Sequence, residues 1–449
     1  MHIPSLPPLP HFPKSSNEHQ FSTTVRWSLV ALGVFFVFNV FSFAYSWISG
    51  TSFSDLAWLT LGNLTTDSED RTNFLLLGVG GEGHSGADLT DTIMVASYHH
   101  TEETLALLSV PRDLWVKAPS GAGMRINAIY EAEHERLNDS TAALHSMTEV
   151  ASHITNLPVH YFVKIDFKAF TQIVDALGGV DVLVEKEISD PSYPCPDEVN
   201  YCPFQIAPGL QKLNGEIALK YARSRKTTSD FDRAKRQQQI MEALREKALS
   251  LDVLSSPRKL KKIYDAVESN LETNLSWREV IRLGGLASEF HRGSIANVVI
   301  SDNPADTGGL LYAPPRENYG GAAILLPVGD DFQKIHVLAS MLFDHPRAAI
   351  EKTPIEVLNA SGKPRLAERV AYYLNRYGLN AVKANNYPGR LTFPTSKIYI
   401  YDSEKNQDIT NEIKNFITGD VTTGPAEIAT RGYPITIVVG QDFKMPIDE

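Results

Sequence analysis

The sequence predicts an α/β protein behind one N-terminal membrane span, with a smaller α/β unit at the C-terminal end. Three observations carry this. An uncharged apolar run of 21 residues, Trp27–Trp47, lies near the N-terminus. After residue 70, apolar runs of strand length alternate with amphipathic stretches of helix length. The alternation restarts after residue 353, beyond His345-Pro346.

The span comes first. At 1.5 Å per residue it reaches about 30 Å, the thickness of a bilayer core. Trp27, Tyr45 and Trp47 stand where interfacial aromatics belong. Lys14 and Arg26 precede it, while Asp55, Asp67, Glu69 and Asp70 follow it before the next basic residue, Arg71. That asymmetry predicts a cytoplasmic N-terminus and an extracytoplasmic bulk, a single-pass protein of the cell membrane. A cleaved signal peptide is the rival reading, but no clear small-x-small site follows. Residues 1–24, rich in Pro, Ser and His, read as a disordered cytoplasmic tail, residues 25–49 as a signal anchor and residues 50–70 as a linker.

Residues 71–344 read as one large domain. NFLLLGV, TIMVASY and TLALLSVP are buried strands, and residues 131–154 carry one helical pattern. HYFVKIDF is strand-like, FKAFTQIVDAL is a helix stopped at Gly178-Gly179, and VDVLV is a strand. A long loop leads to GLQKLNGEIALKYARSR, and AKRQQQIMEALREKAL is a helix with Ile240, Leu244 and Ala248 on one face. Helices near 257–269, 276–290 and 332–343 and strands near 295–300 and 322–328 complete the domain. Residues 345–352 read as a linker. Residues 353–443 alternate TPIEVLNAS, KPRLAERVAYYLNRYG, SKIYIYD, a helix near 408–417 and ITIVVGQD.

Composition removes other classes. The 449 residues are 43% hydrophobic and 21% charged, which excludes a wholly disordered chain, a collagen and a multi-span membrane protein. A net charge of −11 argues against nucleic acid as a partner. Two cysteines exclude a disulfide scaffold and a four-cysteine zinc site. Cys195 and Cys202 lie close together in a Pro-rich loop, and an extracytoplasmic setting favours a disulfide over free or metal-bound thiols.

Within this acidic chain, Lys220–Arg236 holds seven basic residues against Asp230 and Asp232. Arg223 and Arg225 share a face if extended; Arg233, Arg236 and Gln237 converge on the following helix. Ser229 or Asp230 can cap that helix. Guanidinium forks beside a helix N-terminus suit phosphate or pyrophosphate; the competing reading is a solvated charged face. Asp91, Arg112-Asp113 and Asn127 stand at strand ends, where α/β sheets bind ligands, and a carboxylate beside phosphates suggests Mg²⁺ or Mn²⁺. His99 and His100 read as surface residues. Gly78-Val-Gly80-Gly81-Glu-Gly83 imitates a dinucleotide fingerprint, but a strand rather than a helix follows it.

NFLLLGV, LTDTIMVAS, LLSVPRDLWV, INAIY, HYFVKIDFKAFTQIVDALGGVDV, LNGEIALKYARSR and DFDRAKRQQQI, in this order, resemble the LytR-CpsA-Psr (LCP) family. IEVLNASGKPRLAERVAYYLNRYGLNAV and IVVGQDF resemble the LytR C-terminal domain. The resemblance implies a three-layer α/β/α sandwich with a hydrophobic lipid pocket. It implies a metal-dependent phosphotransferase that moves a glycopolymer from a polyprenyl-pyrophosphate carrier to peptidoglycan. By the same resemblance Asp91 holds the metal, Arg112 contacts phosphate, and Arg223 and Arg225 grip the pyrophosphate. Asp230 and Arg233 match the Asp-x-x-Arg element and Gln237 the glutamine after it. Asp230 is a candidate base, though neighbouring arginines should lower its pKa. Gly80 or Gly81 stands where the family often has an acid, and Leu89-Thr90 where it often has Arg; Glu82 and Asp88 are the substitute metal ligands.

Two other classes remain: a polyprenyl-pyrophosphate phosphatase on the same site, and a non-catalytic cell-surface binding or regulatory protein. The C-terminal domain is expected to bind wall glycan or a partner protein.

Overall fold

The structure is a computed structural model. It describes residues 64–195, 200–224, 230–248, 269–276, 279, 282–283, 286, 295–401, 406–417 and 419–444. The predicted tail, the anchor, most of the 50–70 linker and the helix near 257–269 lie outside the described residues, as does most of the one near 276–290.

A six-stranded sheet organises the large unit. Its strands are β1 (Arg71–Val79), β2 (Thr90–His99), β3 (Thr104–Ser109), β6 (Tyr161–Asp166), β11 (Leu271–Thr273) and β12 (Ile295–Val299), in the order β11-β6-β1-β2-β3-β12. Between them in the chain come the short pairs β4 (Trp115–Lys117) with β5 (Gly123–Arg125), β7 (Val180–Val184) with β10 (Gly209–Leu213), and β8 (Ile188–Asp190) with β9 (Phe204–Ile206). The sheet is mixed. β1 runs antiparallel to β2 and parallel to β6, and β3 runs parallel to β12.

The apolar runs follow from burial on both faces. Successive side chains alternate. Leu75, Leu77, Ile93, Val95 and Leu108 therefore join one core with α1 (Ile129–Leu137), α2 (Ser140–Thr155) and α6 (Gln333–Asp344). Phe74, Met94, Ala96, Leu107 and Val163 join the other with α3 (Phe167–Ala176), α4 (Gly215–Arg223) and α5 (Asp230–Ala248). Helix starts obey side-chain capping: Asp139, Asp166 and Asn214 accept from the amides of Ala142, Ala169 and Ile217. Helix α3 stops at Gly178-Gly179, whose amides bond back to the Asp175 and Val174 carbonyls.

Several expectations are corrected. The single helix over 131–154 is two, because Asn138 adopts left-handed backbone (φ 50°) and Asp139 caps a new start. The strand near 322–328 shrinks to β14 (Leu326–Pro327), paired with β13 (Leu311–Tyr312); Pro327 has no N–H for a longer ladder. The linker 345–352 holds helix α7 (Pro346–Glu351), packed on β3 and β12. The end of the other linker belongs to the domain. Leu64 is buried, the Thr65 amide donates to the Tyr161 hydroxyl, and Asp67 pairs with Arg71. His100 is half-buried, with Nε2 2.8 Å from Thr72 Oγ1.

The C-terminal unit holds a five-stranded sheet, β16-β15-β19-β17-β18. Its strands are β15 (Ile355–Asn359), β16 (Ala381–Asn386), β17 (Lys397–Ile400), β18 (Asp420–Thr422) and β19 (Ile435–Val439), with helices α8 (Leu366–Arg376) and α9 (Gln407–Phe416). Ile300, Leu310 and Phe343 of the large unit share an apolar cluster with Tyr373, Leu374 and Tyr377 of this one.

Candidate functional site

The site forms where β1, β3 and β6 end and β2 begins. Gly78 faces Thr92 and Val79 faces Thr90, so Asp91 is the extra residue of a bulge. A bulge re-aims a side chain out of the ladder. Asp91 thereby reaches Arg112, which follows β3, and accepts its Nη1 at 2.7 Å. Arg112 Nε lies 3.5 Å from Asp113 Oδ2, and Arg125 Nη1 donates to Asp113 Oδ1 at 3.3 Å. Buried Asn127 ties the corner: its amide donates to the Arg112 carbonyl, and its own carbonyl accepts from Thr90 Oγ1.

Helix α5 closes this corner. Arg233 and Gln237, four residues apart, line a cavity of about 220 Å³ together with Asp91, Arg112 and Asp302. Arg233 is only 6% exposed. Arg236 does not converge with them, contrary to expectation. It donates Nε to the Tyr221 carbonyl at 2.8 Å and Nη2 to the Ser224 carbonyl. The last turn of α4 leaves those carbonyls without intrahelical donors, and a buried guanidinium supplies them. Burial pulls the Arg236 pKa down, against Tyr221, Asp232 and Asp190.

A second, apolar cleft of about 100 Å³ adjoins the first. Leu76, Met94, Val163, Phe170, Leu219 and Met241 line it. Gln237 lines both spaces. Arg223 also lines the cleft, its guanidinium carbon 4.1 Å from the Phe167 ring centroid and 5.8 Å from that of Tyr193. Stacking on two rings holds the charge in place where it can meet an anion. Burial pushes the Tyr193 hydroxyl pKa up, and Arg223 opposes that.

Asp91, Arg112, Arg233 and Gln237 thus share one cavity, and Arg223 joins them through the cleft. Arg225 and Ser229 lie outside the described residues. Asp230 opens α5, and its side chain is likewise outside them. Asp88 instead sits 3.5 Å from His134 Nδ1, and Glu82 is exposed; neither lines the cavity. Cys195 and Cys202 form a disulfide in the loop beside Tyr193, their Cα atoms 4.9 Å apart.

Sequence reasoning missed Asp166 and Asp302. Each stands at or just after a strand end, so the rule that singled out Asp91 could have found them. Asp166 lines the apolar cleft and caps α3, and burial raises its pKa despite backbone donors at Ala169 and Lys168. A Cβ added at Gly81 would fall 2.7 Å from Asp166 Cβ.

Among the described residues, no three His, Cys, Asp or Glu side chains gather as a metal cage. A magnesium-type ion needs only one or two carboxylates when phosphates complete its shell. Asp91 fits that lesser demand, as a hard oxygen donor on the cavity wall.

Fold and site define an α/β protein with a charged cavity beside an apolar cleft. Residues 52–319 match the LytR_cpsA_psr family, and the chain belongs to it. Residues 352–443 match the family described as LytR cell envelope-related transcriptional attenuator. The chain is 31% identical over 235 residues to the polyisoprenyl-teichoic acid–peptidoglycan teichoic acid transferase TagV of Bacillus subtilis (strain 168), covering 51% of this chain and 54% of that protein. It is 24% identical over 359 residues to the cell wall biosynthesis protein LcpA of Corynebacterium glutamicum, covering 72% and 64%. It therefore spans less than two thirds of either relative. The crystal structure of B. subtilis TagV aligns with 62% of this chain and 99% of its own, at 25% identity and a TM-score of 0.46.

Proposed function

We propose that this chain is a membrane-anchored phosphotransferase that moves a glycopolymer from a polyprenyl-pyrophosphate carrier to peptidoglycan. The supporting observation is Gln237, which lines a charged cavity on one side and an apolar cleft on the other. A lipid diphosphate is the ligand with one half for each. The names of the two relatives, a teichoic acid transferase and a cell wall biosynthesis protein, point the same way.

On this reading the large unit is a three-layer α/β/α sandwich behind the signal anchor, with its bulk outside the cytoplasm. Anchoring in the bilayer keeps the site near a lipid substrate and raises the effective concentration. The diphosphate lies against Arg112 and Arg233, and Arg223 grips it from the side of the cleft, a role that the family resemblance extends to Arg225. An acceptor hydroxyl of peptidoglycan attacks the phosphorus bonded to the glycan. The new O–P bond forms as the bond to the bridging oxygen breaks, and polyprenyl phosphate leaves with those electrons. The arginines neutralise the charge that gathers on the leaving phosphate. Asp230 takes the acceptor's proton or orients Arg233. A Mg²⁺ or Mn²⁺ ion held by Asp91 and phosphate oxygens, with Asp88 or Glu82 as further ligands only if their loop turns inward, would supply added charge neutralisation.

The test mixes the full chain in detergent with a radiolabelled glycan-lipid donor and peptidoglycan fragments. Label in the peptidoglycan fraction is the expected result. Phosphate release without transfer would make the protein a phosphatase. Neither product would leave a binding protein.

A further inference from the structure

One wall of the charged cavity belongs to residues 299–313: Val299, Asp302 and Ala313 line it. Between them the chain makes a tight loop. The Ser301 amide donates to the Gly308 carbonyl at 2.7 Å, and the Leu311 amide to the Ser301 carbonyl at 2.9 Å. Gly308 sits at φ 82°, and a Cβ there would meet the Val299 carbonyl at 2.4 Å. The loop is closed at its base and dense at its tip.

The tip is held from outside the large unit. Arg376 ends α8 of the C-terminal unit and is only 6% exposed. It donates Nε at 3.1 Å and Nη2 at 2.6 Å to the Gly309 carbonyl. In return the Gly308 amide donates to the Arg376 carbonyl at 2.8 Å, and Thr307 Oγ1 to the Asn375 carbonyl at 3.0 Å. The carbonyls of the last helical turn have no partners within their own helix, so each side satisfies the other. From this tip, backbone bonds continue to the cavity's arginine. The Val328 amide donates to the Leu310 carbonyl at 2.9 Å, and the Leu325 amide to the Asp113 carbonyl at 2.9 Å. Asp113 flanks Arg112 and lies 3.5 Å from its Nε.

We propose that Arg376 is a positioning residue: the C-terminal unit shapes the charged cavity by holding the 300–313 loop, without itself touching substrate. This gives residues 353–443 a role in the reaction that is separate from binding wall glycan or a partner. The effect on ligand rests on the pyrophosphate reading of the cavity; the effect on the loop does not.

The experiment uses the full chain in detergent micelles, with hydrogen exchange as one readout and calorimetric binding of farnesyl pyrophosphate as the other. Arg376→Ala should speed exchange of the Gly308 and Leu311 amides by about tenfold and more weakly that of Leu325, since a buried carbonyl loses its donor. It should weaken farnesyl pyrophosphate by about fivefold, while Arg376→Lys, which keeps one donor, recovers part of both. Tyr372→Ala, an exposed residue of the same helix, should change neither. Should Arg376→Ala fail to fold, Arg376→Lys carries the test alone. Unchanged exchange in the loop overturns the proposal, and so does faster exchange with unchanged affinity. If the wild-type chain does not bind farnesyl pyrophosphate, the pyrophosphate reading fails instead. Arg376 is then judged on exchange at Leu325, where unchanged protection overturns it.

Discussion

Arg112 holds Asp91 at 2.7 Å across the mouth of the charged cavity, joining the start of β2 to the segment that follows β3. The pair is partly solvated, with side chains 19% and 33% exposed, so a phosphate can compete for the guanidinium. Arg112→Ala should therefore lower farnesyl pyrophosphate affinity by roughly 10- to 150-fold, the equivalent of one charge-assisted hydrogen bond of about 1.5–3 kcal/mol. Calorimetric titration of the full chain measures it. Unchanged affinity would remove the anion from this cavity.

The cleft makes a prediction of opposite selectivity. Leu219 lines it from α4 and is partly exposed, so the fold tolerates a polar head there. Leu219→Glu should weaken farnesyl pyrophosphate by about tenfold or more, because a carboxylate resists apolar contact. Inorganic pyrophosphate should bind as before. Equal losses for both ligands would show that the cleft does not receive the prenyl chain.

Helix packing behind the site gives a stability prediction. Gly215 opens α4 against α3, its amide donating to Asp175 Oδ1 at 2.8 Å. A Cβ there would stand 2.2 Å from the Thr171 carbonyl oxygen, which is backbone and cannot swing aside. Gly215→Ala should cost about 1–3 kcal/mol through overpacking. Denaturant unfolding reads it, and an unchanged midpoint would contradict the close approach.

The C-terminal unit contains a fully buried carboxylate, Glu356, paired with Arg431 Nε at 2.7 Å. Arg431→Met should destabilise the chain by roughly 3–5 kcal/mol, because the charge it leaves behind has no solvent. Adding Glu356→Gln should recover much of that loss. Additive losses in this double-mutant cycle would mean the two side chains do not interact.

Acid should weaken the fold through three partly buried histidines. Burial lowers the pKa of His100, His153 and His160 below the usual 6.5. Asp70 opposes this at His100 and Asp67 at His160, while His336 reinforces it at His153. His160 Nδ1 accepts the Asn73 amide, so its proton sits on Nε2. A lowered folded pKa contributes stability above pH 6.5 that is lost as pH falls through the folded values. Unfolding midpoints measured between pH 7.5 and 5 should fall, and His160→Gln should flatten that dependence. A level profile would mean these rings are already solvated.

Much of the molecule was readable in one dimension. Apolar runs such as NFLLLGV and LALLS mark strands because both faces of the sheet are covered, and capping residues mark helix starts. Asp91, Arg112, Arg233 and Gln237 were legible because each stands at a strand end or in a local basic run. What escaped was set by backbone detail. Asn138 breaks a helix that periodicity runs through. Arg236 has the same sequence credentials as Arg233, yet turns to the free carbonyls of α4. Asp166 caps a helix while lining the cleft, and no local pattern separates those two roles.

The order of residues by itself determined the elements, the charge run and the spacing that groups donors on one helix face, since these depend on neighbours within a few positions. Only the tertiary structure decided which charges meet. A bulge turns Asp91 to Arg112, ring stacking seats Arg223 beside the cleft, and Arg376 reaches from the C-terminal unit to a loop almost seventy residues earlier, separated by 67 positions. Such contacts depend on strand order and helix docking, which chain neighbours do not encode.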